Sequence, residues 1–258
     1  MRKFIRFLVR HIPRPWLIRM SYLFRWMIMP FYKGKNHSCP ICGGEFRKML
    51  PYGNKGAENR LCPKCLSLER HRLMWIYFDQ KTDLFTAQNK LLHVAPEQPF
   101  LERFKKMENL DYTTGDLLSP IADVKMDIMD VPFGDNSFDV VICNHVMEHV
   151  ESDIKAMQEV LRVLKPGGWA LLQVPINYSY KETHEDLSIT DPKERERVFG
   201  QYDHVRWHGL DYGKRLASAG FVVDENRFID EFSDDEIERY RLPKGEIIYV
   251  AKKTILVS

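Results

Sequence analysis

Five short apolar runs punctuate the middle of the chain, separated by stretches with helical spacing. They are Leu91-Leu92-His93-Val94-Ala95, Tyr112-Thr113-Thr114-Gly115 ending on Asp116, a run into Met126-Asp127, Phe138-Asp139-Val140-Val141-Ile142-Cys143, and Trp169 to Val174. Apolar runs of strand length that alternate with helices predict an α/β domain, with a buried parallel sheet and crossover helices on both faces. Ligands on such sheets bind beyond the carboxyl ends of the strands, which is where Asp116 and Asp127 fall.

On either side the pattern changes. Leu68, His71, Leu73, Met74, Trp75 and Phe78 recur at helical spacing, with Ser67 in position to cap the helix. Arg70-His71-Arg72 on that helix reads as a solvated face or as a reach toward phosphate. From Pro175 to His208 the chain is polar and irregular, except that Asp191-Pro192-Lys193-Glu194 reads as a capped helix start and Gly200 as its stop. An insertion over 176–208 would emerge at the carboxyl edge of the sheet, in position to lie over a bound ligand; long polar loops in compact domains are commonly functional.

Asp116 follows Ala95 by 21 positions, close to the roughly 20-residue offset that places a carboxylate beside a ribose in nucleotide-binding sheets. Three further stretches carry a resemblance. Asp127-Ile128-Met129-Asp130-Val131-Pro132-Phe133-Gly134-Asp135-Asn136-Ser137-Phe138-Asp139, Asn144-His145-Val146-Met147-Glu148-His149-Val150 and Leu161-Arg162-Val163-Leu164-Lys165-Pro166-Gly167-Gly168 stand in order. They resemble the motifs around strands three to five of class I S-adenosylmethionine-dependent methyltransferases, of the type 11 kind. The resemblance implies a Rossmann-like sheet and S-adenosylmethionine as cofactor, held by Ala95, Glu97, Asp116, Leu117, Asp127, Ile128 and Asn144. It does not carry a substrate, because function follows the site and not the fold. In one place the sequence departs from the family: the usual glycine-rich loop after strand one is Ala95-Pro96-Glu97-Gln98-Pro99 here. With no glycine and two prolines, the methionine end of the cofactor would rely on the Ala95 backbone and the Glu97 carboxylate. The other reading is that cofactor binding has been lost. His93, where the family often has an acid, reads as a strand histidine satisfied by a neighbour.

Cys39-Pro40-Ile41-Cys42 and Cys62-Pro63-Lys64-Cys65 are separated by 19 residues. Paired C-x-x-C knuckles suit one tetrahedral four-thiolate site, structural zinc above all. Iron would use the same ligands, and disulfides would need an oxidising compartment. Gly43-Gly44 allows the first turn. Cys143 is left over and reads as a small buried apolar residue.

At 258 residues and 44% hydrophobic, the chain can hold one large domain and one small one. The boundaries read as an arm over 1–35, a zinc-ribbon-like module over 36–66 and the methyltransferase domain over 67–258. The net charge of +2 hides an asymmetry, because residues 1–44 carry nine Lys or Arg and no acid. Lys3, Arg6 and Arg10 share one face of a first helix and Ile5, Leu8 and Ile12 another, with Trp16, Tyr22, Phe24 and Trp26 following. Such an arm suits an anionic membrane surface. It would also serve as a packing arm or an RNA contact. Arg19 and Arg25 keep it short of the ~20 apolar residues of a membrane span. No cleavable signal peptide is evident, so the expected location is cytoplasmic, with a peripheral position at the inner membrane face.

The acceptor proton would need a base. His204 is the first candidate, oriented by Asp203; His145 is the second. His184 and Arg206 are candidates for holding the substrate, Arg206 through an anionic group. Phe199 to Arg206 resembles a segment of bacterial methyltransferases that also carry paired CPxC knuckles. Three functions stay open: methyl transfer to an O or N atom of a small or membrane-proximal acceptor (glycan, lipid headgroup or polar metabolite), methylation of RNA, and a non-catalytic binding protein. The net acidic remainder beyond residue 44 counts against an RNA surface.

Overall fold

The computed structural model describes residues 27–53 and 56–255. The arm expected over 1–35 therefore lies outside the described residues up to residue 26. After it, residues 27–32 are helical and Lys33 already opens a strand.

In chain order, β1 (Lys33–Cys39) and β2 (Gly44–Phe46) form an antiparallel hairpin, and β3 (Leu50–Tyr52) and β4 (Ala57–Leu61) a second antiparallel pair. Helix α1 (Glu69–Lys81) follows, then β5 (Asn89–Val94), α2 (Gln98–Phe104), β6 (Leu110–Asp116), the two-residue β7 (Val124–Lys125), β8 (Phe138–Asn144), α3 (Asp153–Val163) and β9 (Leu164–Gln173). Next come β10 (His184–Glu185), α4 (Pro192–Phe199), β11 (Arg206–Trp207), α5 (Tyr212–Ser218), β12 (Val222–Asn226), α6 (Asp234–Tyr240) and β13 (Ile248–Lys252).

The large sheet has the order β12-β13-β9-β8-β5-β6-β7. Strands β7, β6, β5, β8 and β9 run parallel, and β13 is antiparallel to both β9 and β12. The expected α/β sheet is thus present. Strand β5 pairs with β6 on one side and β8 on the other, so the strand order reverses at β5, and the crevice at its carboxyl end is the natural ligand site. The central strands are apolar because both faces are covered: Leu91, Leu92, Val140, Val141, Ile142 and Cys143 are fully buried. Cys143 is the buried apolar residue its context suggests. Helix α3 buries Ala156, Met157, Val160 and Val163, one stripe at helical spacing, and Ser152 caps it by accepting the Lys155 N–H.

Two expected strands differ in detail. The third stops at Lys125, because the Asp127 carboxylate accepts the Met129 N–H at 2.8 Å and turns the chain. The fifth begins earlier, at Leu164, and the expected turn Lys165-Pro166-Gly167-Gly168 bulges out between the pairs Phe138↔Leu164 and Val140↔Trp169.

The described chain forms two compact units. One holds residues 83–228 and the segment from Ile247 onward; the other holds residues up to Thr82 together with Ile229–Glu246. This division is not the one drawn at residue 66. Helix α1 and the segment around α6 cluster with the cysteine knuckles, and a single side chain shows why. Arg72 is fully buried, and its guanidinium donates to the carbonyls of Ser67, Arg60, Tyr240 and Arg241 at 2.7–3.1 Å. Arg70-His71-Arg72 is therefore not simply a solvated face. His71 is buried as well, and its Nδ1 accepts the Leu68 N–H at 3.0 Å, capping α1 in place of Ser67. A buried carbonyl left without a donor costs about 1–3 kcal/mol. Arg72→Met should accordingly lower the unfolding free energy by roughly 3 kcal/mol or more, as a reduced denaturant midpoint would show.

Candidate functional site

At the carboxyl end of β5 the chain makes the turn that the glycine-free loop left in doubt. Ala95 adopts φ +49°, in the left-handed region, and its N–H donates to the Gly115 carbonyl at 2.8 Å. The sheet thus takes the Ala95 N–H, so that a ligand using the Ala95 backbone would meet its carbonyl. Glu97 precedes α2, and its Oε2 accepts the Asn144 amide at 2.6 Å, joining the ends of β5 and β8. Asn144 is 3% exposed, and its Oδ1 is buried with no hydrogen-bond partner. Below this pair, the fully buried His93 ring meets the Tyr112 hydroxyl at 2.8 Å through Nδ1, and its Nε2 lies 4.0 Å from Glu97. His93 is the satisfied strand histidine its context suggests. A carboxylate and an orphaned amide oxygen at the switch point form an acceptor set suited to an ammonium group.

Asp116 ends β6. Its Oδ1 accepts the Leu118 and Ser119 N–H groups at 2.7 and 2.6 Å, which shapes the following loop, and Oδ2 accepts no hydrogen bond among the described residues. Leu117 and Leu118 beside it are exposed. Gly115 is required here because a Cβ would collide with the Met126 thioether. Ile128 is buried in the core, so only its backbone can face a ligand.

Beyond β8 the chain turns sharply at His145, with φ +55° and its N–H on the Gln173 carbonyl at 2.8 Å. Its ring is about a third exposed, with Nδ1 3.2 Å from Oε1 of Glu148. Glu148 is 1% exposed. Burial pushes its carboxyl up, but His145 and His149 outweigh that and hold it below the usual carboxylate range. His204 is nearly buried, its Nδ1 3.1 Å from the Phe199 carbonyl and its Nε2 2.7 Å from the Gln201 amide, and burial pushes its pKa down. Both ring nitrogens are thus engaged inside the protein. Asp203 pairs with His149, at 3.4 Å, where the sequence suggested it would orient His204.

Arg206 is a correction. It is fully buried, donating to the carbonyls of Met147, Val150 and Glu151 at 2.6–2.8 Å and to Glu185 at 3.0 Å. Four of its five N–H donors are thus engaged inside the protein, and burial keeps the guanidinium from a substrate anion. His184 is exposed on β10, opposite Trp207 of β11. Nearby, Arg215 makes a two-pronged pair with Asp153, at 2.6 and 2.8 Å, and His208 lies fully buried 4.0 Å from that carboxylate. Glu148 and His149 went unassigned in the sequence, although His145, Glu148 and His149 stand at i, i+3 and i+4.

The four cysteines converge as their spacing predicts. All are unbridged thiols, with Cys39 Sγ 3.6 Å from Cys65 Sγ and Cys42 Sγ 3.7 Å from Cys62 Sγ. Sulfurs bonded tetrahedrally to one ion at ~2.3 Å lie about 3.8 Å apart, so the set fits an ion and not disulfides. Each knuckle closes on a left-handed residue, Gly43 in the first and Leu66 in the second, whose N–H groups reach the carbonyls of Cys39 and Cys62 at 2.9 and 3.0 Å. The Ser67 hydroxyl sits 3.3 and 3.2 Å from the sulfurs of Cys39 and Cys65, which is why it is not free to cap α1. Hydrogen bonds from the other three thiols pull Cys39 well below the ordinary thiol value; burial pushes Cys62 up, and the bond to Cys39 pushes Cys65 up. A divalent cation would relieve the repulsion that keeps the set from ionising together.

Residues 86–172 match the family described as "Methyltransferase domain". An uncharacterized methyltransferase of Schizosaccharomyces pombe is 27% identical over 143 residues, 54% of this chain and 49% of that protein. A ubiquinone/menaquinone biosynthesis C-methyltransferase of Idiomarina loihiensis is 38% identical over 95 residues, 35% of this chain and 38% of that protein. In both cases the match spans less than half of the relative's length. Among solved structures, an S-adenosylmethionine-dependent methyltransferase from Mesorhizobium loti aligns with a TM-score of 0.48 and 14% identity, covering 70% of this chain and 98% of that one.

Burial pushes the His208 pKa from 6.5 down to about 4, and His204 shifts in the same direction. A histidine held neutral in the fold stabilises it above its unfolded pKa, and that contribution is lost as pH falls toward the folded value. Unfolding free energy should therefore drop between pH 6.5 and 4, by up to about 3 kcal/mol from His208. His208→Gln should flatten that slope in denaturation curves taken across this range.

Proposed function

We propose that this chain, whose residues 86–172 match a methyltransferase domain family, is a class I S-adenosylmethionine-dependent enzyme that transfers a methyl group to an oxygen or nitrogen of a small or membrane-proximal acceptor. The observation that carries the reading is the Glu97–Asn144 pair at the switch point, with a carboxylate and an unsatisfied buried amide oxygen side by side. Both suit the cofactor's α-ammonium. Asp116, with Oδ2 unengaged, is placed for the ribose hydroxyls, and Leu117 offers exposed apolar surface beside it. Asp127 and Ile128 would contribute at the neighbouring edge, Ile128 through its backbone.

When bound, the cofactor supplies a methyl group activated by a sulfonium, so the protein's main task is to align donor and acceptor. His145 is the better base for the acceptor proton. Its ring is partly exposed beyond β8, and the buried Glu148 carboxylate, 3.2 Å from its Nδ1, orients it. His204 is engaged elsewhere, and Asp203 acts on His149. His184 remains the surface candidate for contacting the acceptor. The basic, aromatic segment 1–33 supports a membrane-proximal acceptor and a peripheral position; among the described residues, no helix is long and apolar enough to cross a membrane.

Calorimetry with S-adenosylmethionine tests the cofactor reading. Glu97→Gln and Asp116→Ala should each weaken binding by the ~1.5–3 kcal/mol of a lost charged hydrogen bond, while wild-type protein that does not bind the cofactor would leave the non-catalytic reading. Acceptors can be found in a methyl-transfer screen of glycans, lipids and RNA. On the acceptor so found, His145→Ala should cut turnover about 10²–10⁴-fold with little change in cofactor affinity. Unchanged turnover would remove His145 as the base.

The four cysteines are proposed to hold structural zinc. A thiol-specific mercurial should release about one equivalent of zinc per chain, read with a zinc indicator dye; release of iron would reassign the metal.

A further inference from the structure

A second cluster of metal-ligating side chains, with no cysteine in it, lies beyond β8. Glu148 and His149 come from the turn after β8, and His204 from the segment between α4 and β11. One ligand atom from each lies within 4.8 Å of the others. The rings of His149 and His204 meet edge to face, 4.6 Å between centroids. Glu148 is 1% exposed; His145 Nδ1 stands 3.2 Å from its Oε1 as an ion-pair contact, and neither carboxylate oxygen accepts a hydrogen bond. Asp203 adds a further oxygen, with Oδ2 3.4 Å from His149 Nδ1 and Oδ1 buried and unpartnered.

A buried carboxylate whose oxygens accept no hydrogen bond, and whose charge is met only by histidines around it, is costly, and such a group ordinarily finds hydrogen bonds or a metal. We propose that Glu148, His149 and His204 bind a divalent transition-metal ion, with Asp203 at the edge of its coordination sphere. Two imidazoles and a carboxylate form the donor set of zinc sites that keep an open position, and of other borderline divalent ions. The surroundings already supply the outer contacts such ligands use. The Nδ1 of His204 is placed to donate to the Phe199 carbonyl, which leaves Nε2 as the ligand atom. The exposed Gln201 amide now on Nε2 is a side chain that an incoming ion can displace. His145 stands against Glu148 as an outer partner. Ligand atoms bound tetrahedrally at ~2.1 Å lie about 3.4 Å apart, so atoms at the 4.8 Å limit of this cluster must close by about 1.4 Å, a shift that side-chain rotation of the partly exposed His149 has to supply. The site shares no ligand with the thiolate set and does not depend on methyl transfer. Its place beyond the carboxyl end of β8 would let an ion there take an anionic or hydroxyl group of an acceptor.

Cobalt(II) is the probe for the test. Full-chain protein, treated with EDTA and then freed of it, is titrated with cobalt(II) and followed by visible absorption. Nitrogen and oxygen ligands give d–d bands without the near-ultraviolet sulfur-to-cobalt charge transfer that marks the thiolate site. The expected result is a saturable event near one equivalent with d–d bands and no charge transfer. It should be weakened at least about tenfold, the lower end of what loss of even an outer-shell partner costs, in both His149→Asn and His204→Asn. Thermal melts of the metal-free variants check folding. If the buried His204 variant fails to fold, the partly exposed His149→Asn decides. No such event in the wild type, or one that His149→Asn leaves unchanged, overturns the proposal, whatever the outcome of the cofactor titrations.

Discussion

The arrangement beyond the carboxyl end of β8 depends on burying one guanidinium. Arg206 is fully buried, and four of its five N–H donors find acceptors, in the carbonyls of Met147, Val150 and Glu151 and in the Glu185 carboxylate. A planar fork of fixed geometry is well suited to gathering a tight turn. The turn it gathers is the one that bears His145, Glu148 and His149. Because Arg206 lies two residues beyond His204, the same contacts bring His204 to Glu148. Without them the loop would have to satisfy three carbonyls in some other way, and the histidines would lose their common carboxylate.

A similar economy explains the loop after β5. A left-handed alanine costs about 1–2 kcal/mol relative to glycine, and Ala95 bears that cost while its N–H extends the pairing to Gly115. The turn is thus achieved without glycine, and Pro96 and Pro99 remove donors where the loop does not need them. In place of backbone N–H groups, which suit anions, the loop brings together the Glu97 and Asn144 side chains, whose oxygens suit a cation.

The other unit is organised around carbonyls in the same way. Arg72 collects four of them from segments far apart in the chain, and Arg241 reaches the Asn59 carbonyl at 3.2 Å. Such a clamp explains how Ile229–Glu246, which leaves the sheet after β12 and returns to it at β13, comes to share a unit with the knuckles.

Local patterns were enough to determine the sheet, the helix begun by Asp191 and ended by Gly200, the convergence of four cysteines and the acid at the end of β6. Each rests on periodicity, on capping chemistry or on a ligand spacing that is short along the chain. Tertiary structure alone decided the rest. Arg206 reads as a holder of a substrate anion in sequence, and Arg72 as part of a solvated face or a reach toward phosphate, because a buried arginine is betrayed only by carbonyls gathered from distant segments. His204 and Asp203 were legible as a polar cluster, but not their partners, since Glu148 lies more than fifty residues earlier and meets them only when the chain after β9 folds back. Ser67 reads as a helix cap until the thiols of Cys39 and Cys65 claim its hydroxyl. In each case the deciding contact joins groups that sequence spacing cannot bring together, and burial makes that contact obligatory.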